Sequence, residues 1–131
     1  MLKKTVTYVD YDGVERTEDF YFNLSESEII EMELGVDGGW RARMQRIIDA
    51  KDNPTLMREF KKLIMMSYGE KSADGKRFVK SPEISEAFTQ TEAYNKIFME
   101  LMTDSEAAAD FANGIIPQKD RSRQDVIPLN R

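Results

Sequence analysis

The sequence predicts an α+β fold that is mainly α, in which an N-terminal β-hairpin packs on a compact bundle of about five helices. Two observations predict this class. Residues 4–22 are rich in Thr, Val, Tyr and Phe around a turn signal, and residues 25–114 carry helix caps and helical periodicity. We expect a single globular domain over residues 1–116, followed by an extended or disordered tail over residues 117–131.

The composition sets the first limits on function. The chain has 131 residues, of which 40% are hydrophobic and 33% are charged, so it is long and apolar enough to bury one core. It contains no cysteine, which excludes disulfides and thiolate metal sites. No apolar run reaches the roughly 20 residues that span a bilayer, and no signal-peptide pattern opens the sequence. A cytoplasmic protein without a membrane partner is expected.

The hairpin is predicted from two β-rich runs on either side of Asp12-Gly13. This dipeptide favours a two-residue turn of type I′. Such a turn requires a positive φ at both central positions, and Asp-Gly is a preferred pair there. Such a turn would pair Tyr11 with Val14 and Val9 with Arg16. An isolated hairpin is only marginally stable in water, so we expect the ribbon to pack on helices or to pair with another chain.

A capping box predicts where the first helix begins. The hydroxyl of Ser25 can accept from the amide of Glu28, whose carboxylate can accept from the amide of Ser25. Leu24 and Ile29 occupy the two positions of a hydrophobic staple around this cap. Gly35 ends this short helix.

Two more helices are predicted in the middle of the chain. One covers residues 40–51, after a Gly38-Gly39 joint, with Trp40, Met44, Ile47 and Ile48 on one face. The other begins with Asn53 as N-cap and Pro54 as first residue, and Gly69 is its expected end. Its core-facing stripe is Leu56, Phe60, Leu63, Ile64 and Ser67.

The remaining helices follow a polar loop that contains a second turn signal at Asp74-Gly75. Ser81-Pro82 starts a helix through about Thr89, and Asp104 or Thr103 caps a last, alanine-rich helix. Between them lies a helix with an apolar stripe of Tyr94, Ile97, Phe98, Leu101 and Met102.

Catalysis is not expected. The chain has no histidine, so Ser-His and Cys-His nucleophiles are impossible. The acid pairs Glu28/Glu31, Asp49/Asp52 and Asp104/Asp110 lie at helix starts or on polar faces, where acids are common without any catalytic role. The glycines form no phosphate-binding fingerprint. We therefore predict no catalytic residue, no cofactor and no metal site.

The net charge of −5 is unevenly distributed along the chain. Residues 10–37 carry ten acids and one base, residues 41–80 carry eleven bases and five acids, and residues 81–116 carry seven acids and one base. These blocks can complement one another within the fold or between copies of the chain, so a homo-oligomer is one possibility. Because the basic residues are spread over two helices and a loop, and the chain as a whole is acidic, no nucleic-acid partner is expected.

Binding of another protein is the remaining function, and two features point to it. The chain has eight methionines, a flexible residue type that recurs on adaptable surfaces but also fills gaps in cores. Its single tryptophan follows the double glycine, where it can serve as an interface anchor or as a core residue. The candidate partner-binding residues are Trp40, Met57, Met65, Met66, Tyr68 and Met99.

Several stretches of the sequence resemble one family. They are TVTYVDYDGVER (5–16), FYFNLS (20–25), YGEKS with DGKRF (68–78), FTQTEAY (88–94) and FANGIIP (111–117). Over these segments the chain is similar to the tail assembly chaperones of long-tailed, siphovirus-type bacteriophages and prophages of Gram-positive hosts. The resemblance covers about residues 4–117, and it identifies no active site.

The resemblance implies a non-enzymatic protein that binds the long, helical tape measure protein and keeps it soluble. It also implies recruitment of the tail tube protein, action in the host bacterial cytoplasm, and absence from the mature virion. The alternative is a structural or adaptor protein that is retained in the phage tail, joined to its neighbours through hairpin edges.

Overall fold

The computed structural model describes residues 1–117, and the predicted tail lies outside these residues from residue 118 on. Four strands and six helices form in this part of the chain, so the predicted mainly α member of the α+β class is confirmed. In chain order they are β1 (Leu2–Val9), β2 (Glu15–Phe22), α1 (Glu26–Leu34), α2 (Trp40–Asp49), α3 (Asn53–Ser67), β3 (Tyr68–Lys71), β4 (Phe78–Val79), α4 (Pro82–Thr89), α5 (Glu92–Thr103) and α6 (Ser105–Gly114).

The N-terminal hairpin forms as predicted, but its predicted register is wrong by one residue. Val9 pairs with Glu15, not with Arg16. The loop has three residues because Gly13 alone takes a positive φ, of 81°, and the amide of Gly13 donates to the carbonyl of Asp10. The Asp10 carboxylate also accepts from the amides of Asp12 and Val14. These bonds favour a type I turn followed by a left-handed glycine over the two-residue turn.

The stretch predicted as a polar loop after α3 is a second hairpin. Strands β3 and β4 pair with each other, and β3 also pairs with β2, so that a four-stranded antiparallel sheet runs in the order β1-β2-β3-β4. The prediction that Gly69 ends α3 is wrong, because Gly69 lies within β3 opposite Tyr21. A Cβ on Gly69 would lie 2.7 Å from the Phe78 ring and 2.8 Å from the carbonyl oxygen of Val79. Glycine is therefore needed here for close packing of the strands.

The core lies between one face of the sheet and the helices. Alternate residues of β2 point inward, so Phe20 and Phe22 are buried while their neighbours are more exposed. The Phe88 ring of α4 stacks on Tyr68, with ring centroids 4.0 Å apart, and also contacts Phe22 edge-on. Side chains from α3, α5 and α6 complete the core, among them Leu63, Ile64, Ile97, Leu101 and Phe111.

Side-chain caps set most helix starts. The predicted capping box of Ser25 and Glu28 is confirmed, as are Ser81 at the start of α4 and Asp104 at the start of α6. One predicted cap is wrong: Asp52, not Asn53, caps α3 and accepts from the amide of Thr55. Asn53 is already helical, which moves Pro54 one residue further into the first turn.

Candidate partner-binding site

A large apolar cleft opens beside α1. Its volume is about 490 Å³. The helices α1, α2 and α3, the segment between β2 and α1, and the end of α6 all contribute to its walls. The apolar lining residues are Leu24, Ile29, Met32, Trp40, Leu63, Ala112, Ile115 and Ile116, with Glu33, Arg41 and Asn113 as the polar ones. A half-open apolar cleft with few polar groups is suited to taking apolar side chains of a partner.

The backbone of the joint between α1 and α2 positions Trp40 in this cleft. Gly38 and Gly39 have φ values of 80° and 94°, which only glycine adopts without strain. A Cβ on Gly39 would also collide with the Glu33 carboxylate. That carboxylate lies over the start of α2 and accepts a hydrogen bond from the amide of Arg41 at 3.4 Å. The N-cap residue of α2 is a glycine, which has no side chain to cap the helix itself. The double glycine therefore lets α1 cap α2 and places Trp40 at the cleft wall.

An ion pair ties the wall that carries Trp40 to α3. The Glu59 carboxylate is 91% buried and lies 3.0 Å from Arg43 of α2 and 3.6 Å from Lys62 of α3. A buried carboxylate needs such partners, since an unpaired one is costly. The packing of α2 on α3 is thus specified by charge as well as by the buried side chain of Met44.

The opposite wall, helix α1, is anchored at its first turn. Lys80 lies 2.7 Å from both carboxylate oxygens of Glu28, and its ammonium also reaches the carbonyl oxygens of Asn23 and Met66. Burial alone would raise the pKa of Glu28, but hydrogen bonds from Lys80 and from the Ser25 amide lower that pKa below its usual value. The carboxylate therefore stays charged at neutral pH and holds the helix start in place.

The predicted partner-binding residues do not form one surface. Trp40 is half-buried and lines the cleft. Met57 and Met66 of α3 are 44% and 37% exposed, while Met65 between them is half-buried. Met99 is 56% exposed on the separate helix α5.

Tyr68, the sixth predicted residue, is only 8% exposed. It lines a shallow depression between the sheet and α4 together with Phe20 and Phe88, away from the cleft. Burial raises the pKa of the Tyr68 hydroxyl, so this group stays protonated at neutral pH. Its ring is a core residue whose edge reaches the surface.

The main lining residues that the sequence interpretation missed come from α1 and from the end of α6. No residue of α1 is buried, although the helix carries Ile29, Ile30, Met32 and Leu34. This distribution is visible in the sequence, because apolar residues occur on two faces of a nine-residue helix instead of one. Ile115 and Ile116 had no such local signal, since only the fold brings them beside Trp40.

Residues 1–117 show neither a metal-binding cluster nor a membrane-spanning helix. No group of three or more acids is arranged to hold a metal ion. No helix in this range has the length and apolar character needed to cross a bilayer.

Comparison with known protein families gives a match over most of the chain. The family described as phage tail assembly chaperone matches residues 1–126, which is nearly the whole chain and extends past Pro117. No curated protein and no solved structure is significantly similar to the chain. The matched family is described by its role in tail assembly, and it is not a family of enzymes. The chain therefore belongs to the family of phage tail assembly chaperones.

Proposed function

We propose that this chaperone binds the tape measure protein of its phage, keeps that protein soluble and assists assembly of the tail tube around it. The observation that carries the proposal is the half-open apolar cleft at Trp40 in a member of the tail assembly family. Before the tail tube has assembled around it, a long helical protein has apolar side chains that no other protein covers. A cleft of about 490 Å³ is large enough to cover a few of them.

The lining of the cleft supports binding of varied sequences. Met32 lies on one wall and Trp40 on the other, so a flexible, polarizable side chain faces a large aromatic anchor. Such a pair adapts to different apolar residues along a repetitive helix better than branched side chains do. The exposed methionines Met57, Met66 and Met99 would add secondary contacts.

The proposal includes where the protein acts. Binding takes place in the cytoplasm of the host bacterium, the tail tube protein is the second protein partner, and the chaperone leaves before the virion is complete. Self-association of the chain would serve the same role by covering a longer stretch of tape measure protein. The rival hypothesis of an adaptor retained in the tail predicts that the chain is present in purified virions, and mass spectrometry of those particles separates the two.

The direct test is co-expression of the full chain with the tape measure protein encoded by the same phage. We expect the soluble fraction of the tape measure protein to rise severalfold and the two proteins to co-purify. Trp40→Ala should abolish this gain, and Tyr11→Ala is the matched control because Tyr11 is 73% exposed at the hairpin tip, outside the cleft.

Trp40 also packs against the core, so a second variant guards against simple unfolding. Ile116→Ser changes a half-buried lining residue of the cleft that does not belong to the core cluster, and it should reduce co-purification while the thermal unfolding transition is retained. Equal solubility of the tape measure protein with and without the chain would refute the proposed function.

A further inference from the structure

Helix α1 carries large apolar side chains on two opposite faces. Ile29 and Met32 line the cleft, whereas Ile30 and Leu34 lie one turn apart on the other face. Ile30 is 57% exposed and Leu34 is 80% exposed, the highest value among the large hydrophobic residues of the described chain. Single exposed apolar residues are ordinary, but two on one helix face form a stripe that a partner can bury. We call Ile30 and Leu34 the outer stripe.

The surroundings of the outer stripe are acidic. Residues 26–37 contain five acids and no base. Helical geometry places Glu33 on one side of the outer stripe and Glu31 on the other. Lys80 pairs with Glu28, which faces the body of the protein and not the outer stripe. Helix α1 itself thus places only negative charge beside the stripe, which favours a cationic partner, while Arg46 of the adjoining helix α2 lies near Gly38 at the joint.

The helix that presents the outer stripe is fixed before any partner arrives. Its first turn is held by the Ser25–Glu28 capping box and by Lys80, and its last turn is held through Glu33 at the start of α2. A surface that is already ordered costs little conformational entropy on binding. Its exposed apolar residues are thus presented in a defined spacing of one helical turn.

We propose that the outer stripe docks a helix of a partner protein that carries an apolar stripe flanked by Lys or Arg. Ridges of side chains one turn apart fit the grooves of a second helix, so a helix is the matching shape. The identity of this partner as a helical tail protein rests on the proposed function, whereas the chemistry of the surface does not.

A second copy of the chain fits the outer stripe less well. Two of its helices, α3 and α2, are basic. The exposed Met57 and Met66 lie nine residues apart on opposite faces of α3, and Ile48 is the exposed large apolar residue of α2, so neither helix offers an exposed apolar stripe. Arg43 of α2 is already bound to Glu59. The partner therefore differs from this chain.

The test uses the full chain and two synthetic amphipathic helical peptides that share one apolar stripe. Lys flanks the stripe in the first peptide and Glu flanks it in the second, and fluorescence anisotropy measures the Kd of each. We expect the Lys peptide to bind at least about tenfold more tightly, with the difference shrinking at high salt. The double variant Ile30→Ser/Leu34→Ser should weaken the Lys peptide by about tenfold or more, since two exposed apolar contacts are removed.

Two further variants separate the stripe from general surface effects. The double variant Val9→Ser/Val14→Ser is the matched control, because these residues are 54% and 50% exposed at the hairpin tip. It should leave the Kd within about twofold of the unmodified chain. Glu31→Lys keeps the apolar stripe, and it should weaken the Lys peptide and strengthen the Glu peptide.

Three results would overturn the proposal. They are equal affinity for both peptides, an unchanged Kd in the stripe variant, and self-association of the chain that disappears in that variant, which would assign the stripe to a second copy. Failure of the proposed function is a separate outcome. A chain that binds the Lys peptide through the stripe but does not solubilise the tape measure protein keeps this inference and refutes that function. A chain that solubilises the tape measure protein but binds neither peptide supports the proposed function and refutes this inference.

Discussion

Lys80 lies 2.7 Å from both carboxylate oxygens of Glu28 and thereby joins the sheet side of the molecule to the start of the first helix. The same ammonium reaches the carbonyl oxygens of Asn23 at 3.0 Å and Met66 at 3.1 Å. One cation thus connects the end of β2, the first turn of α1 and the last turn of α3. Helix α1 has no fully buried residue, so this polar contact adds to the attachment that the half-buried Ile29 and Met32 provide by packing against the core.

Replacing Lys80 by Met should lower the free energy of unfolding by about 1–3 kcal/mol, because charge-assisted hydrogen bonds are lost and a half-buried carboxylate is left without its cation. Urea denaturation monitored by circular dichroism measures this change. The control is Lys76→Met at an exposed turn position, which should change the free energy by less than about 0.5 kcal/mol. An equal effect of both variants would contradict the role given to Lys80.

The contribution of Glu28 should depend on pH. Its pKa is lowered in the folded protein, so its contribution to stability is complete above the ordinary value of 4.5 and is lost as the pH falls through the folded-state pKa below that value. Asp10, Asp52 and Asp74 also have lowered pKa values, from hydrogen bonds to Arg16, Thr55 and Ser72 respectively, so the whole protein should lose stability in acid.

The Glu28→Gln variant isolates the contribution of Glu28 to this loss of stability in acid. Its free energy of unfolding should fall less steeply than that of the unmodified chain as the pH is lowered from neutral to below 4.5. Denaturant titrations across that range measure the two slopes. Identical slopes would show that Glu28 does not titrate differently in the folded and unfolded states.

Gly69→Ala should destabilise the fold by about 1–3 kcal/mol, because the new methyl group meets the Phe78 ring and the backbone of Val79. Gly114→Ala is the matched comparison: its nearest obstacle is the flexible side chain of Leu2, at 2.9 Å, and alanine favours a helix. The free energy of unfolding of the second variant should stay within about 1 kcal/mol of the unmodified chain. Similar losses in both variants would argue against a strand-packing role for Gly69.

Asp52→Ala should lower the unfolding temperature through loss of the α3 cap, whereas Asn53→Ala should have a much smaller effect. Thermal unfolding of both variants checks the order. The opposite order would restore Asn53 as the cap.

Local features of the structure could be predicted from the sequence. The Ser25–Glu28 box and the cap at Ser81 involve residues three positions apart, so their hydrogen bonds depend on little beyond the chain itself. The stripe of Leu63, Ile64 and Ser67 follows from helical periodicity in the same way. These features gave the fold class.

Features that depend on distant residues could not be predicted. Gly69 after an apolar helix has the pattern of a helix end, and only its approach to Phe78 reveals that it belongs to a strand. Tyr68 lies at a helix terminus, where the sequence suggests an exposed side chain, yet its ring stacks on that of Phe88, twenty residues later in the chain. The cleft likewise depends on the fold bringing Ile115 and Trp40 to the same opening, which no local pattern encodes.

The contact of Lys80 with Glu28 has a consequence for the order in which the chain folds. The two residues are 52 positions apart, so this contact forms only after a long loop has closed. On a ribosome, the first helix of the protein has no cation to hold it until residue 80 has emerged. Its apolar residues therefore stay more accessible during the first part of synthesis than they are in the folded protein, although this helix is made early.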